Sequence, residues 1–134
     1  MHWAIDHVEP QNYVSVVLGG VFFIEEHPIL VMEILASRFW KPGINLLLDC
    51  RDLDLSRVNT QHLRMMSNKY HQIAEQLGDG KFALLMKSAF HFGLGRQFQM
   101  IADGKIQNEI GVFNDEKKMF DWLFEEKPEY HLLR

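Results

Sequence analysis

The sequence has a single cysteine, Cys50, so no internal disulfide can staple it. That excludes the small secreted scaffolds built on disulfide frameworks. Basic clusters are missing too. Lys and Arg total 14 against 18 Asp and Glu, a formal net charge of −4. The densest basic spot, Lys117-Lys118, is flanked by acids. Nucleic-acid binders carry a basic face, so nucleic acid is a poor partner, and an anionic membrane surface is disfavoured on the same ground. Long apolar runs are also absent. Stretches such as Val14–Phe23 are interrupted by Ser15, Gly19 and Gly20, and none approaches a membrane span. His2, Trp3 and Asp6 near the start do not make a charged-then-apolar signal peptide. The expected location is the cytoplasm.

What is present is an ordinary globular composition. Of 134 residues, 47% are hydrophobic, enough for one domain over 1–134 with a core of its own. Cys50 follows Leu48-Asp49 and precedes Arg51. It reads as a half-buried strand residue and a structural thiol.

The chain alternates between two periodicities. Trp3–Val8 and Tyr13–Leu18 read as strands, and Glu9-Pro10-Gln11-Asn12 between them makes a hairpin. Gly19-Gly20 ends or bends the second strand. Pro28 suits a helix's first turn, with Leu30, Val31, Ile34 and Leu35 following at helical spacing. Lys41-Pro42-Gly43 is expected to stop that helix. Ile44–Leu48 is a bounded apolar run, the mark of a buried central strand.

Asn59 or Thr60 caps the next helix, whose stripe is Leu63, Met66, Tyr70, Ile73 and Leu77. Gly78-Asp79-Gly80 closes it. Phe82–Met86 is a fourth strand. Ser88 caps a helix bearing Phe90, Leu94, Phe98 and Ile101, ended by Asp103-Gly104. Ile106–Phe113 is a fifth strand. Asn114 or Asp115 caps a last helix with Met119, Phe120 and Leu123 inward. The order β-β-α-β-α-β-α-β-α predicts an α/β fold: a central mixed sheet of about five strands, the first at an edge, with helices packed on it.

Two junctions carry a resemblance. Leu46-Leu47-Leu48-Asp49 leads into Asp54-Leu55-Ser56 and then a helix. Ser88-Ala89-Phe90-His91-Phe92-Gly93-Leu94-Gly95-Arg96 leads through a helix to Ile110-Gly111-Val112-Phe113. With the element order, these resemble the STAS domain, the fold of anti-sigma-factor antagonists and of anion-transporter tails. They are nearest to its SpoIIAA-like bacterial branch of uncharacterised proteins. The resemblance implies a regulatory module in which Ser56 matches a serine phosphorylated by a partner kinase and Asp54 the aspartate before it. The sequence departs from that turn at Leu55, where the family has serine, and at Arg57, where it has glycine.

Other constellations have weaker claims. Asp49, Asp52 and Asp54 lie near the carboxyl end of the central strand, where parallel sheets bind ligands. Asp52-Leu53-Asp54 is similar to the strand-end Asp-x-Asp of Mg²⁺-dependent phosphotransferases. Acidic residues before a helix start are stabilising anyway, and that reading is favoured. His62 and His71 are nine residues apart, about half a turn out of phase, so they cannot share a metal on one helix. His2, His7 and His131 lie near the termini, and the remaining histidines read as surface or half-buried. No zinc-protease spacing, nucleophile elbow or phosphate loop occurs. The expectation is no catalytic residue, no metal and no cofactor.

The Ser88 helix is unusual. Its apolar residues cover more than one face, and Gly93 and Gly95 interrupt it. Either the glycines permit close packing on the sheet, or the spare aromatics make a docking, ligand or dimer surface. Three functions follow. The first is a protein-interaction module acting through Ser56, with Asp52, Asp54, Arg57, Asn59, Phe90, Phe92 and Arg96 as its surface. The second is a binder of a lipid, nucleotide or anion between the sheet and the Phe90–Met100 helix. The third is the phosphotransferase.

Overall fold

In a computed structural model, which describes residues 1–125, the chain forms one five-stranded sheet with helices on both faces. Strand β1 (His2–Val8) pairs antiparallel with β2 (Tyr13–Val21), so the first strand is an edge as expected. The strands β3 (Asn45–Asp54), β4 (Phe82–Leu85) and β5 (Ile110–Phe113) follow in parallel, giving the spatial order β1-β2-β3-β4-β5. Leu46, Leu47 and Leu48 are all buried, because β3 is covered on both faces.

The first face carries α1 (His27–Ala36), α2 (Thr60–Gln72) and α4 (Ala89–Ala102). Leu30, Val31 and Ile34 of α1, Leu63 and Tyr70 of α2 and Phe98 of α4 join Val14, Val16, Leu46, Leu48 and Leu84 in the main core. The second face carries α5 (Glu116–Leu123), whose Met119 and Leu123 pack on Tyr13, Leu47, Ala83 and Leu85. No helix among the described residues is long and apolar enough to cross a membrane.

Several boundaries differ from the sequence expectation. Helix α1 stops at Ala36, before Lys41-Pro42-Gly43, because Ser37 is extended (φ −64°, ψ 141°). The stripe ending at Leu77 is broken at Ile73 (φ −108°, ψ 23°) into α2 and the one-turn α3 (Ala74–Leu77). Gly78 then turns the chain at φ +70°, and a side chain there would strike the backbone of Pro42 and Gly43. Strand β5 begins at Ile110, not Ile106. Asn108 Nδ2 is turned inward to the carbonyls of Gly78 (3.2 Å) and Gly80 (2.8 Å), which holds that segment out of the sheet. Of the two expectations for Gly19-Gly20, bending holds and ending does not: the register shifts between Val17 and Gly19, and β2 runs on to Val21.

Candidate functional site

Strand β3 also runs past its apolar stretch. Val17 pairs with Asp49 and Gly19 with Asp52, so two steps on β2 face three on β3. The extra residue is a β-bulge, which re-aims the side chains beyond it. The inward set changes parity there, from Leu46, Leu48 and Cys50 to Leu53 and Leu55. Asp52 and Asp54 are thereby left exposed at the carboxyl end of the strand.

The chain next makes a tight turn, with the Val58 N–H donating to the Leu55 carbonyl at 3.0 Å. Ser56 and Arg57 form its exposed tip. The Ser56 N–H donates to Asp54 Oδ1 at 2.8 Å. The Ser56 side chain and its donated N–H hold the Asp54 carboxyl below its ordinary range, and the charges of His91 and Arg57 add to this. The Arg57 guanidinium lies over the Phe23 ring, 5.2 Å from its centre. Asn59 is committed to α2: its Oδ1 accepts from the His62 N–H at 2.9 Å, and its own N–H donates to His62 Nδ1 at 3.3 Å. This reciprocal cap satisfies amides that a helix start leaves free.

Helix α4 begins beside this turn, capped by the Ser88 hydroxyl accepting from the His91 N–H at 3.3 Å. Phe90 is 66% exposed, and its ring leans on His91. Phe92, in contrast, packs against the core. Arg96 faces a separate hollow near the other end of α4, with Gln99, Met100, Asp103 and Glu109. The structure therefore groups Asp54, Ser56 and Arg57 with Phe90 close by, sets Asn59 in a cap, turns Phe92 inward and separates Arg96. Phe23 and His91 belong to the group and were missed by sequence reasoning. They come from segments distant in sequence, and no local pattern joins them.

The second face has its own polar chain. Arg51 pairs with Asp49 at 2.7 Å and with Glu116 of α5 at 3.1 Å. Burial pushes the Asp49 carboxyl up, but the hydrogen bonds and charge of Arg51 outweigh it and leave it below its usual value. Asp49 is thus held by a structural ion pair, apart from the exposed Asp54.

Cys50 is fully buried, not half-buried, because its side chain points into the main core. Burial, with Asp49 adding, pushes its thiol up to about 12, which keeps it protonated and unreactive. His27 also departs from the surface reading. It is buried, and its Nε2 lies 3.0 Å from the Tyr70 hydroxyl. The signal was there: His27, Leu30, Val31 and Ile34 are spaced i, i+3, i+4, i+7, which puts the imidazole on the inward stripe of α1. His71 Nδ1 meets the Lys105 carbonyl at 2.7 Å, and His7 stacks on Phe39. His131 lies outside the described residues. Among the described residues no three His, Cys, Asp or Glu side chains are grouped to hold a metal ion.

Between the first face and its three helices lies a cavity of about 90 Å³. Leu18, Leu48, Leu53, Leu63 and Phe98 are among its walls, with Leu55 and Val58 of the turn on one side.

No family model and no curated protein matches the chain. Among solved structures, it is similar to the crystal structure of an uncharacterised protein from Shewanella loihica PV-4, described as a DUF3478-family protein with a SpoIIAA-like fold. The two are 17% identical, with a TM-score of 0.57, over 91% of this chain and 92% of that one. At that identity the likeness concerns the fold: this chain has a SpoIIAA-like α/β fold, as its element order led one to expect.

Proposed function

We propose that this SpoIIAA-like chain is a regulatory protein-interaction module of STAS type, with the turn Leu55–Val58 at the centre of its contact surface. One observation carries the reading: Ser56 stands exposed at the tip of that turn, at the carboxyl end of the central strand. Its neighbours are of the right kind. Phe23 and Phe90 are 39% and 66% exposed, and Arg57 is stacked on Phe23. Aromatic residues and Arg are the types that anchor interfaces.

The same geometry suits a charge switch. A phosphate on Ser56 adds about −1.5 to −2 units of charge. It would stand beside the Asp54 carboxylate, which accepts from the Ser56 N–H, so the two side chains would repel. Leu53 and Leu55 remain anchored in the core, so the change is confined to the surface. In this reading the residues act by contact, without catalysis.

The test is quantitative affinity capture from the source cell with wild type, Ser56→Ala, Ser56→Asp and Phe90→Ser. A partner held by wild type and Ser56→Ala, and depleted with Ser56→Asp and Phe90→Ser, is the expected result. Equal partner amounts on all four baits would remove the reading.

A further inference from the structure

Protein interiors are close-packed, with few voids larger than a water molecule. The cavity of about 90 Å³ under the first face is an exception. Almost all its walls are aliphatic or aromatic, and no lysine, arginine, aspartate or glutamate lines it. The polar groups that do reach it are spoken for. His27 and Tyr70 are hydrogen-bonded to each other, the Met1 ammonium is paired with Glu26 at 3.2 Å, and the Cys50 thiol leans on the Leu48 carbonyl at 3.8 Å. Water inside would lack the two to four polar partners it needs, and apolar cavities of about 150 Å³ with such walls stay dry and take up benzene or xenon. This cavity is smaller, but Met1, Met66 and Met86 border it, and unbranched thioether chains adapt to what they pack against.

We infer that this cavity is a binding site for a small, neutral, apolar molecule of about the size of a single ring. Its size rules out a nucleotide there, and the cationic group among its lining residues, the Met1 ammonium, is already paired with Glu26, which leaves no free cation for an inorganic anion; this narrows the ligand expected between the sheet and α4. His27 borders both the cavity and an outer groove formed by Ile24, Pro28, Met65 and Lys69. His27 is thus the residue that separates the cavity from the surface between α1 and α2. Leu55 and Val58 hold the Ser56–Arg57 tip between them and are also walls, so occupancy is felt at the turn. The site itself stands whether or not the turn meets a protein partner.

The seven methionines supply the test. Protein labelled with ¹³C at the methionine methyls is titrated with toluene and, separately, pressurised with xenon. Met66 and Met86 resonances shift saturably, together with the Leu55 and Val58 amides. Met32 and Met100, which are exposed, and Met119, which α5 buries against the other face of the sheet, hold still. Cys50→Leu, which fills the cavity, removes the shifts. Silence at Met66 and Met86 with both probes would overturn the inference, as would shifts confined to Met32 and Met100. So would undiminished binding by folded Cys50→Leu protein. The wild-type pattern decides the matter even if that variant does not fold.

Discussion

His27 on α1 and Tyr70 on α2 share a hydrogen bond of 3.0 Å inside the core, their rings set edge to face at 89°. Burial, with the Lys69 charge adding, lowers the His27 imidazole from the usual 6.5 to about 4. Above pH 6.5 the imidazole is neutral both folded and unfolded, and the pair contributes fully. Below that pH the unfolded chain binds a proton that the folded chain refuses until about pH 4. Stability should therefore fall with acidification across this window, by at most about 1.4 kcal/mol per pH unit from this group. Urea unfolding of wild type and His27→Gln at pH 7, 5.5 and 4.5 isolates the effect from the carboxylates, which both proteins share. The variant should start lower and fall less steeply. Parallel pH profiles would show that His27 is not the group responsible.

Lys81 should hold α5 onto the sheet. Its ammonium is buried, donates to the Trp122 carbonyl at 2.7 Å and the Glu125 carbonyl at 3.1 Å, and lies 4.9 Å from the Trp122 ring centre. Asn45 assists: its Nδ2 reaches the Leu123 carbonyl at 3.4 Å, and its Oδ1 accepts from the Lys81 N–H. The last carbonyls of a helix have no partner within it and favour a cation. Lys81→Met keeps most of the stem and strips the donors, at a cost of about 1–3 kcal/mol. Hydrogen exchange should quicken in α5 more than in α2. An equal change in both helices would mean that Lys81 supports the core generally.

The sheet and its helices were legible because each element shows its own period: Ile44–Leu48 as a sealed run, Leu63 to Tyr70 as a helical stripe. The end of β3 was not. After Cys50 the pattern Arg51-Asp52-Leu53-Asp54 looks like a turn, since the bulge shifts alternation by one residue and hides the strand. The strand expected from Ile106 was an error of the opposite sign. Ile106 is only partly buried, and Asn108 spends its amide on two glycine carbonyls instead of a ladder. At the candidate site, Asp54, Ser56 and Arg57 are consecutive enough to be grouped from sequence. The ring of Phe23, the nearby His91 and the distance of Arg96 depend on how three separate segments cross.

The two glycines of α4 should behave oppositely, although they are two residues apart in one helix. Gly95 is buried against β5: an added Cβ would sit 2.6 Å from Val112 Cγ1 and 3.2 Å from Met86 Cε. Val112 is β-branched and stiff at χ1, so it cannot swing aside as a long side chain would. Gly95→Ala should lose about 1–3 kcal/mol to overpacking, only partly offset by alanine's better helix propensity. Gly93 is exposed, and an added Cβ would meet nothing within 4 Å. Nothing in the structure explains a glycine there. Gly93→Ala should gain about 0.4–1 kcal/mol, chiefly by restricting the unfolded chain. Denaturant midpoints of both variants, at unchanged m-values, check the pair. Equal effects of the same sign would mean that α4 does not lie against β5 in this register. The close approach at Gly95 would then lose its explanation, together with the cavity wall that this glycine helps to form.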